Sequence, residues 1–150
     1  MPTLADAIAL AAEAHRTQTD KAGEPYVLHP LRVMLRLETE EERIVGVLHD
    51  VAEDTPVGVE ELRRLGYSER VVAAVDSLTR RKGLETYEAF VERLSSNPLA
   101  ARVKIADLED NMDLRRLSIV GPEEAERLAR YRAAWGKLKR LGVGSGTKTS

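Results

Sequence analysis

The sequence predicts an all-α fold, a multi-helix bundle in one domain. Three observations carry this. Apolar residues recur at i, i+3, i+4, i+7 along most of the chain, helix-capping residues stand at the starts of the periodic segments, and no run alternates as a strand would. The 150 residues suffice for one compact core, and 43% hydrophobic with 32% charged residues is a globular composition.

Ile8, Ala11, Ala12 and His15 set the first helix over residues 3–18. A loop follows in "TDKAGEPY", with Gly23 and Pro25. Pro30 suits the first position of a second helix, with His29 just before it. Thr39 and Glu42 form a capping box for a third, expected over 40–52 and apolar on most sides, hence central. Val59, Leu62 and Leu65 mark a fourth, stopped near Gly66, and Ser68 caps a fifth through Leu78. Tyr87, Phe90, Val91 and Leu94 make a sixth, and "NP" at 97–98 opens a seventh. Pro122 opens the last, with Leu128, Tyr131, Trp135, Leu138 and Leu141 on one stripe. The domain is expected over 1–142, with 143–150 a flexible tail.

Composition narrows the function. A net charge of −2 gives no general affinity for nucleic acid or anionic membrane, and few aromatics argue against base stacking. No apolar run is long enough to span a bilayer, and the N-terminus lacks the pattern of a signal peptide, so a cytoplasmic location is expected. With no cysteine, any metal must be held by His, Asp or Glu.

One candidate cluster and two single positions stand out. In "VGVLHDVAEDT", His49 and Asp50 end an apolar segment, with Glu53 and Asp54 four residues beyond each. Burying carboxylates beside imidazoles is costly unless they are paired or hold a metal. Asp107 sits on an otherwise inward-facing stripe, and His29 lies where a loop enters a helix. Two imidazoles and two carboxylates would suit manganese, iron or zinc better than magnesium or calcium. An ion there would supply a water nucleophile near neutral pH, with Glu53 or Asp54 to orient or deprotonate it. An ion network with Arg32, Arg43 or Lys104 explains the same spacing, and the residues alone leave the two readings even. His15, on the apolar face of the first helix, is expected to be structural or to support the site from behind.

The order of three blocks separates these readings. "AHRTQTDKAGEPYVLHPLRV", "LHDVAEDT" and "VKIADLEDNM" occur in that sequence across residues 14–112. Together they resemble the HD-domain metal phosphohydrolases, specifically the RelA/SpoT-type hydrolase domain and the stand-alone small alarmone hydrolases. The resemblance implies that His29, His49, Asp50 and Asp107 bind one divalent metal, with manganese expected. It implies that Glu53 and Asp54 are the catalytic carboxylates, and that Lys21, Arg80 and Asn111 contact a nucleotide substrate. The implied reaction removes the 3′-pyrophosphate from guanosine tetra- or pentaphosphate. The chain is too short for the synthetase domain of larger members, so hydrolysis without synthesis is expected.

Two departures bear on substrate choice. Asp20-Lys21 stands where the family has two basic residues, one of which stacks on guanine. After Asp107 the family's "RLHN" becomes Leu108-Glu109-Asp110-Asn111, a more acidic turn expected to alter nucleotide recognition. Two other readings therefore stand beside alarmone hydrolysis: the same chemistry on another nucleotide, and a non-catalytic nucleotide-binding module. Oligomeric state is not fixed by the sequence.

Overall fold

The computed structural model describes residues 1–142, so the expected tail at 143–150 lies outside the described residues. Among these residues nine α-helices follow one another: α1 Leu4–Ala14, α2 Leu28–Leu35, α3 Glu40–Leu48, α4 Val51–Asp54, α5 Val59–Arg64, α6 Glu69–Ser77, α7 Tyr87–Leu94, α8 Pro98–Asn111 and α9 Pro122–Arg140. A single 3-10 turn, Leu114–Arg116, separates the last two. Among the described residues the only extended pairing is an isolated bridge between Thr19 and Pro25.

The expected caps hold. Thr39 accepts from the Glu42 amide while the Glu42 side chain reaches back to the Thr39 backbone. Ser68 and Asn97 accept from the amides of Val71 and Ala100, and Gly66 ends α5 at φ 97°. An unexpected box opens α1, between Thr3 and Asp6.

Three boundaries differ from the expectation, and each difference serves the site. α1 stops at Ala14 rather than 18. The chain turns there, so that Gln18 reaches the carbonyl of Asp54, 2.8 Å away. α2 starts two residues before Pro30, which brings His29 inside its first turn. A proline in that turn costs nothing, since the amide it lacks has no helical partner. The third segment breaks at His49-Asp50 into α3 and α4. Asp50 takes φ −99° and ψ −3°, the bridge region between helix and strand.

Helix α3 is the hub. Ile44, Val45, Val47 and Leu48 are at most 1% exposed, and α1, α2, α6 and α8 surround them. Gly46 permits the close approach of α2: a Cβ there would lie 2.7 Å from Leu37 Cδ1 and 3.4 Å from Met34 Cα. Helix α8 is buried along most of its length, including Lys104, Asp107 and Asp110. Helix α9 closes over α8 through Ala134 and Leu138. The hydrophobic layers thus bring the end of α3, the start of α2 and the last turns of α8 to one point.

Candidate active site

His29, His49, Asp50 and Asp107 converge at that point. His29 Nε2 lies 2.8 Å from Asp107 Oδ1, and His49 Nε2 lies 3.2 Å from the same oxygen. Asp50 Oδ2 is 3.2 Å from His49 Nε2 and 3.8 Å from His29 Nε2. One ligand atom from each of His29, His49 and Asp50 falls within 4.8 Å of the others. The break between α3 and α4 makes this possible. In a continuous helix, neighbours point about 100° apart and do not face each other.

The far side of each imidazole fixes its proton. His49 Nδ1 is 2.6 Å from the Gly46 carbonyl oxygen, which can only accept, so Nδ1 carries the hydrogen. His29 Nδ1 is 2.7 Å from Asp110 Oδ2. Asp110 accepts from Arg32 Nε at 2.9 Å and pairs with Arg116 at 3.2 Å; against the effect of burial, His29 and Arg32 hold its pKa down to about 2. In the neutral imidazoles, both Nε2 lone pairs therefore point at two carboxylates. Such a set of inward-facing donors fits a cation.

Electrostatics express the same demand. Although burial opposes it, Asp50 and Asp107 raise the His49 pKa well above its usual value, and bonds to Asp107 and Asp110 raise that of His29. Lys104 Nζ, 2.9 Å from Asp107 Oδ2, and His49 hold Asp107 well below the usual carboxylate range in spite of burial. A divalent ion meets this demand for positive charge while leaving the imidazoles neutral.

A cavity of about 330 Å³ opens in front of the cluster. Glu53, Asp54, Arg80 and Asn111 all line it. Glu53 Oε1 accepts the Arg80 amide at 2.9 Å, and Oε2 lies 3.7 Å from Lys82 Nζ. The Asp54 pKa is raised by surrounding atoms first, then by the charges of Asp50 and Glu53. Asn111 Nδ2 donates to Asp107 Oδ1 at 3.2 Å. Lys21 is not in this cavity. It lines an adjoining one with Arg127, and the two share Asp20, Tyr26, Asn111, Arg116 and Tyr131.

Of the three cations that offered a simple ion network, only Lys104 joins the four-residue cluster. Arg32 pairs with Asp110 behind it, and Arg43 donates to the Leu37 carbonyl oxygen. His15 is buried behind the cavity, where its Nδ1 meets Gln18 Oε1 at 2.8 Å and its ring lies 5.1 Å from Tyr26.

In the turn after Asp107, Asn111 lines the cavity while the two acids, Glu109 and Asp110, do not, which corrects the expectation that their charge faces the substrate. Asp110 is 1% exposed and braces His29, while Glu109 accepts from Trp135 Nε1 at 3.0 Å on α9. The spacing from Asp107, i to i+3 on one helix face, carried a signal for Asp110. Asp20 spends its carboxylate on its own loop, where Oδ1 accepts the amides of Ala22 and Glu24, each at 2.9 Å. Tyr26 was missed: its hydroxyl donates to Asp50 Oδ2 at 2.5 Å, and burial followed by the Asp50 charge raises its pKa. So were Arg116, Arg130, Tyr87 and Tyr131, which no motif brings together and which meet only in the folded chain.

A family profile described as "HD domain" matches residues 7–130, and the chain belongs to that family, whose members bind divalent metals. Among curated proteins it is similar to the guanosine-3′,5′-bis(diphosphate) 3′-pyrophosphohydrolase of Aquifex aeolicus, 30% identical over 131 residues, and to that of Haemophilus influenzae, 34% over 134. It is also similar to the GTP pyrophosphokinase of Streptomyces coelicolor, 33% identical over 128 residues. These alignments take in 80%, 81% and 77% of this chain but 18%, 20% and 15% of the relatives. The chain thus spans a fifth or less of their length. A solved structure described as "A metazoan ortholog of SpoT hydrolyzes ppGpp and plays a role in starvation responses" matches with a TM-score of 0.69 at 23% identity. The match covers 96% of this chain and 98% of that one, so the two share a fold. Among the described residues no helix is long and apolar enough to cross a membrane.

Proposed function

We propose that the chain is a metal-dependent phosphohydrolase that removes the 3′-pyrophosphate from guanosine tetra- or pentaphosphate. The observation that carries this is the convergence of two imidazole Nε2 atoms and two carboxylates at the floor of a cavity lined by further carboxylates and cations. The aligned relatives, guanosine-3′,5′-bis(diphosphate) 3′-pyrophosphohydrolases, supply the substrate.

In this reading His29, His49, Asp50 and Asp107 hold one divalent ion, and the mixed nitrogen and oxygen set suits manganese. An ion bound there would supply a water of lowered pKa and a positive charge to polarise a phosphoryl oxygen. Glu53 orients that water, held in place by the Arg80 amide. Asp54, whose pKa is raised, exchanges the proton. The water oxygen bonds to the phosphorus on the ribose 3′-oxygen. The ester bond breaks, its electron pair stays on the 3′-oxygen, and that oxygen takes up a proton. Asn111 and Arg80 contact the substrate from the first cavity and Lys21 from the second.

The test is purified protein with added manganese against a nucleotide panel, reading products. Pyrophosphate release from guanosine tetraphosphate is expected. A second reading, the same chemistry on another nucleotide, is favoured by Asp20, which leaves no stacking guanidinium at that position. Turnover of another nucleotide with none of the alarmone would select it.

A further inference from the structure

Three cations surround one aromatic ring at the edge of the first cavity. The Arg80 and Arg130 guanidinium carbons lie 5.6 and 5.3 Å from the Tyr87 ring centroid, and Lys104 Nζ lies 5.7 Å away. All four residues line the cavity. Lys104 alone has a carboxylate partner, Asp107. Among the described residues neither arginine forms an ion pair. Arg80 Nε is buried with no hydrogen-bond partner.

An aromatic face attracts cations but does not neutralise them. Lys104 is buried, Arg80 half-buried and Arg130 exposed at the rim; their like charges repel one another, and the buried Arg80 Nε left unpaired is costly. The corner therefore suits an anion of more than one charge. Lys104 sets its position: the same ammonium touches Asp107 of the metal cluster and faces the Tyr87 ring. An anion held by Arg80 and Arg130 would thus share the cavity with a phosphoryl group placed at the cluster.

We propose that Arg80, Arg130 and Tyr87 form a seat for the distal phosphate of a diphosphate leaving group. The seat makes the chain selective for diphosphoryl over monophosphoryl esters, and it rests on the hydrolase reading above. The attack is on the phosphorus bonded to the ribose oxygen. The P–O–P bond stays intact, and the distal phosphate leaves still held by the two guanidinium groups as inorganic pyrophosphate.

Two measurements test this. In the first, metal-depleted protein is titrated calorimetrically with inorganic pyrophosphate and with inorganic phosphate. Pyrophosphate is expected to bind more tightly, and Arg130→Ala and Arg80→Ala each to weaken it about tenfold. Arg132→Ala, whose guanidinium stacks on Trp135 outside the cavity, should match wild type. In the second, manganese-loaded protein is given guanosine 5′-diphosphate bearing a 3′-diphosphate or a 3′-monophosphate. Each arginine variant should lose about tenfold more kcat/KM on the diphosphate than on the monophosphate. Circular dichroism melts show whether a variant is folded, and Arg130→Gln, an exposed neutral replacement, serves if Arg130→Ala is not. Unchanged pyrophosphate binding in both arginine variants, or equal losses on both substrates, would overturn the seat. If wild type hydrolyses no nucleotide, the hydrolase reading fails, and the metal-free titration still decides the seat.

Discussion

His29 Nδ1 lies 2.7 Å from Asp110 Oδ2, and neither side chain is more than 8% exposed. The contact joins the start of α2 to the end of α8 across 81 residues of sequence. It sets the imidazole tautomer that turns Nε2 toward Asp107 and Asp50. Asp110→Ala should lower manganese affinity about 10- to 100-fold, as removal of such an orienting partner does. It should also cost about 3 kcal/mol of stability, because His29 and Arg32 lose their buried acceptor. Isothermal titration and denaturant melts read the two effects, and an unchanged manganese Kd would show that Asp110 does not orient the ligand.

Glu53→Gln keeps the oxygen that accepts the Arg80 amide and removes only the charge. Metal content should stay at the wild-type level while kcat falls about 10²- to 10⁴-fold. Loss of metal instead would move Glu53 into the ligand set.

Tyr26→Phe deletes the 2.5 Å bond to Asp50 and keeps the ring packed against His15 and His29. The manganese Kd should rise about tenfold with little change in the melting temperature. Equal affinity in the two proteins would mean that the neighbouring histidines orient Asp50 unaided.

The carboxylate of Asp20 closes the loop before Pro25. Asp20→Ala leaves the amides of Ala22 and Glu24 without their acceptor, while Asp20→Asn can keep both bonds. Limited proteolysis within residues 19–25 should speed up in the alanine variant and stay near wild type in the asparagine variant. Equal rates in all three would show that the loop is held by other contacts.

Glu85 and Arg93 tie down the loop that carries Arg80. Arg93 donates to Glu85 Oε1 at 2.7 Å and to the Thr79 carbonyl oxygen at 3.0 Å. The Arg93 bond and the Arg81 amide lower the Glu85 pKa from 4.5 to about 2. A depressed folded-state pKa gives stability that is present above 4.5 and lost as pH falls from there to about 2. The melting-temperature gap between wild type and Glu85→Gln should be full at pH 7 and shrink across that window. A gap independent of pH would remove Glu85 ionisation from the account.

The helices, their caps and the central place of α3 were legible because periodicity and capping are local. Thr39 sees Glu42, and Ile44 sees Leu48, whatever the rest of the chain does. The three ordered blocks also carried the family, and His29, His49, Asp50 and Asp107 do meet. Distance in sequence hid the rest. The break after Leu48 follows from two adjacent side chains having to reach one cluster, a constraint imposed by α2 and α8. Asp110 read as an acid that would trouble a nucleotide until the fold placed Arg32, Arg116 and His29 around it. Lys21 and Arg80 divide between two cavities, and α9 supplies Arg130 and Tyr131 to the first. Local patterns determine which segments are helical and which residue types can bind a metal. Burial and the crossing of helices decide which charges neutralise one another and which are left facing the cavity, since a charge costs or contributes only according to what surrounds it after folding.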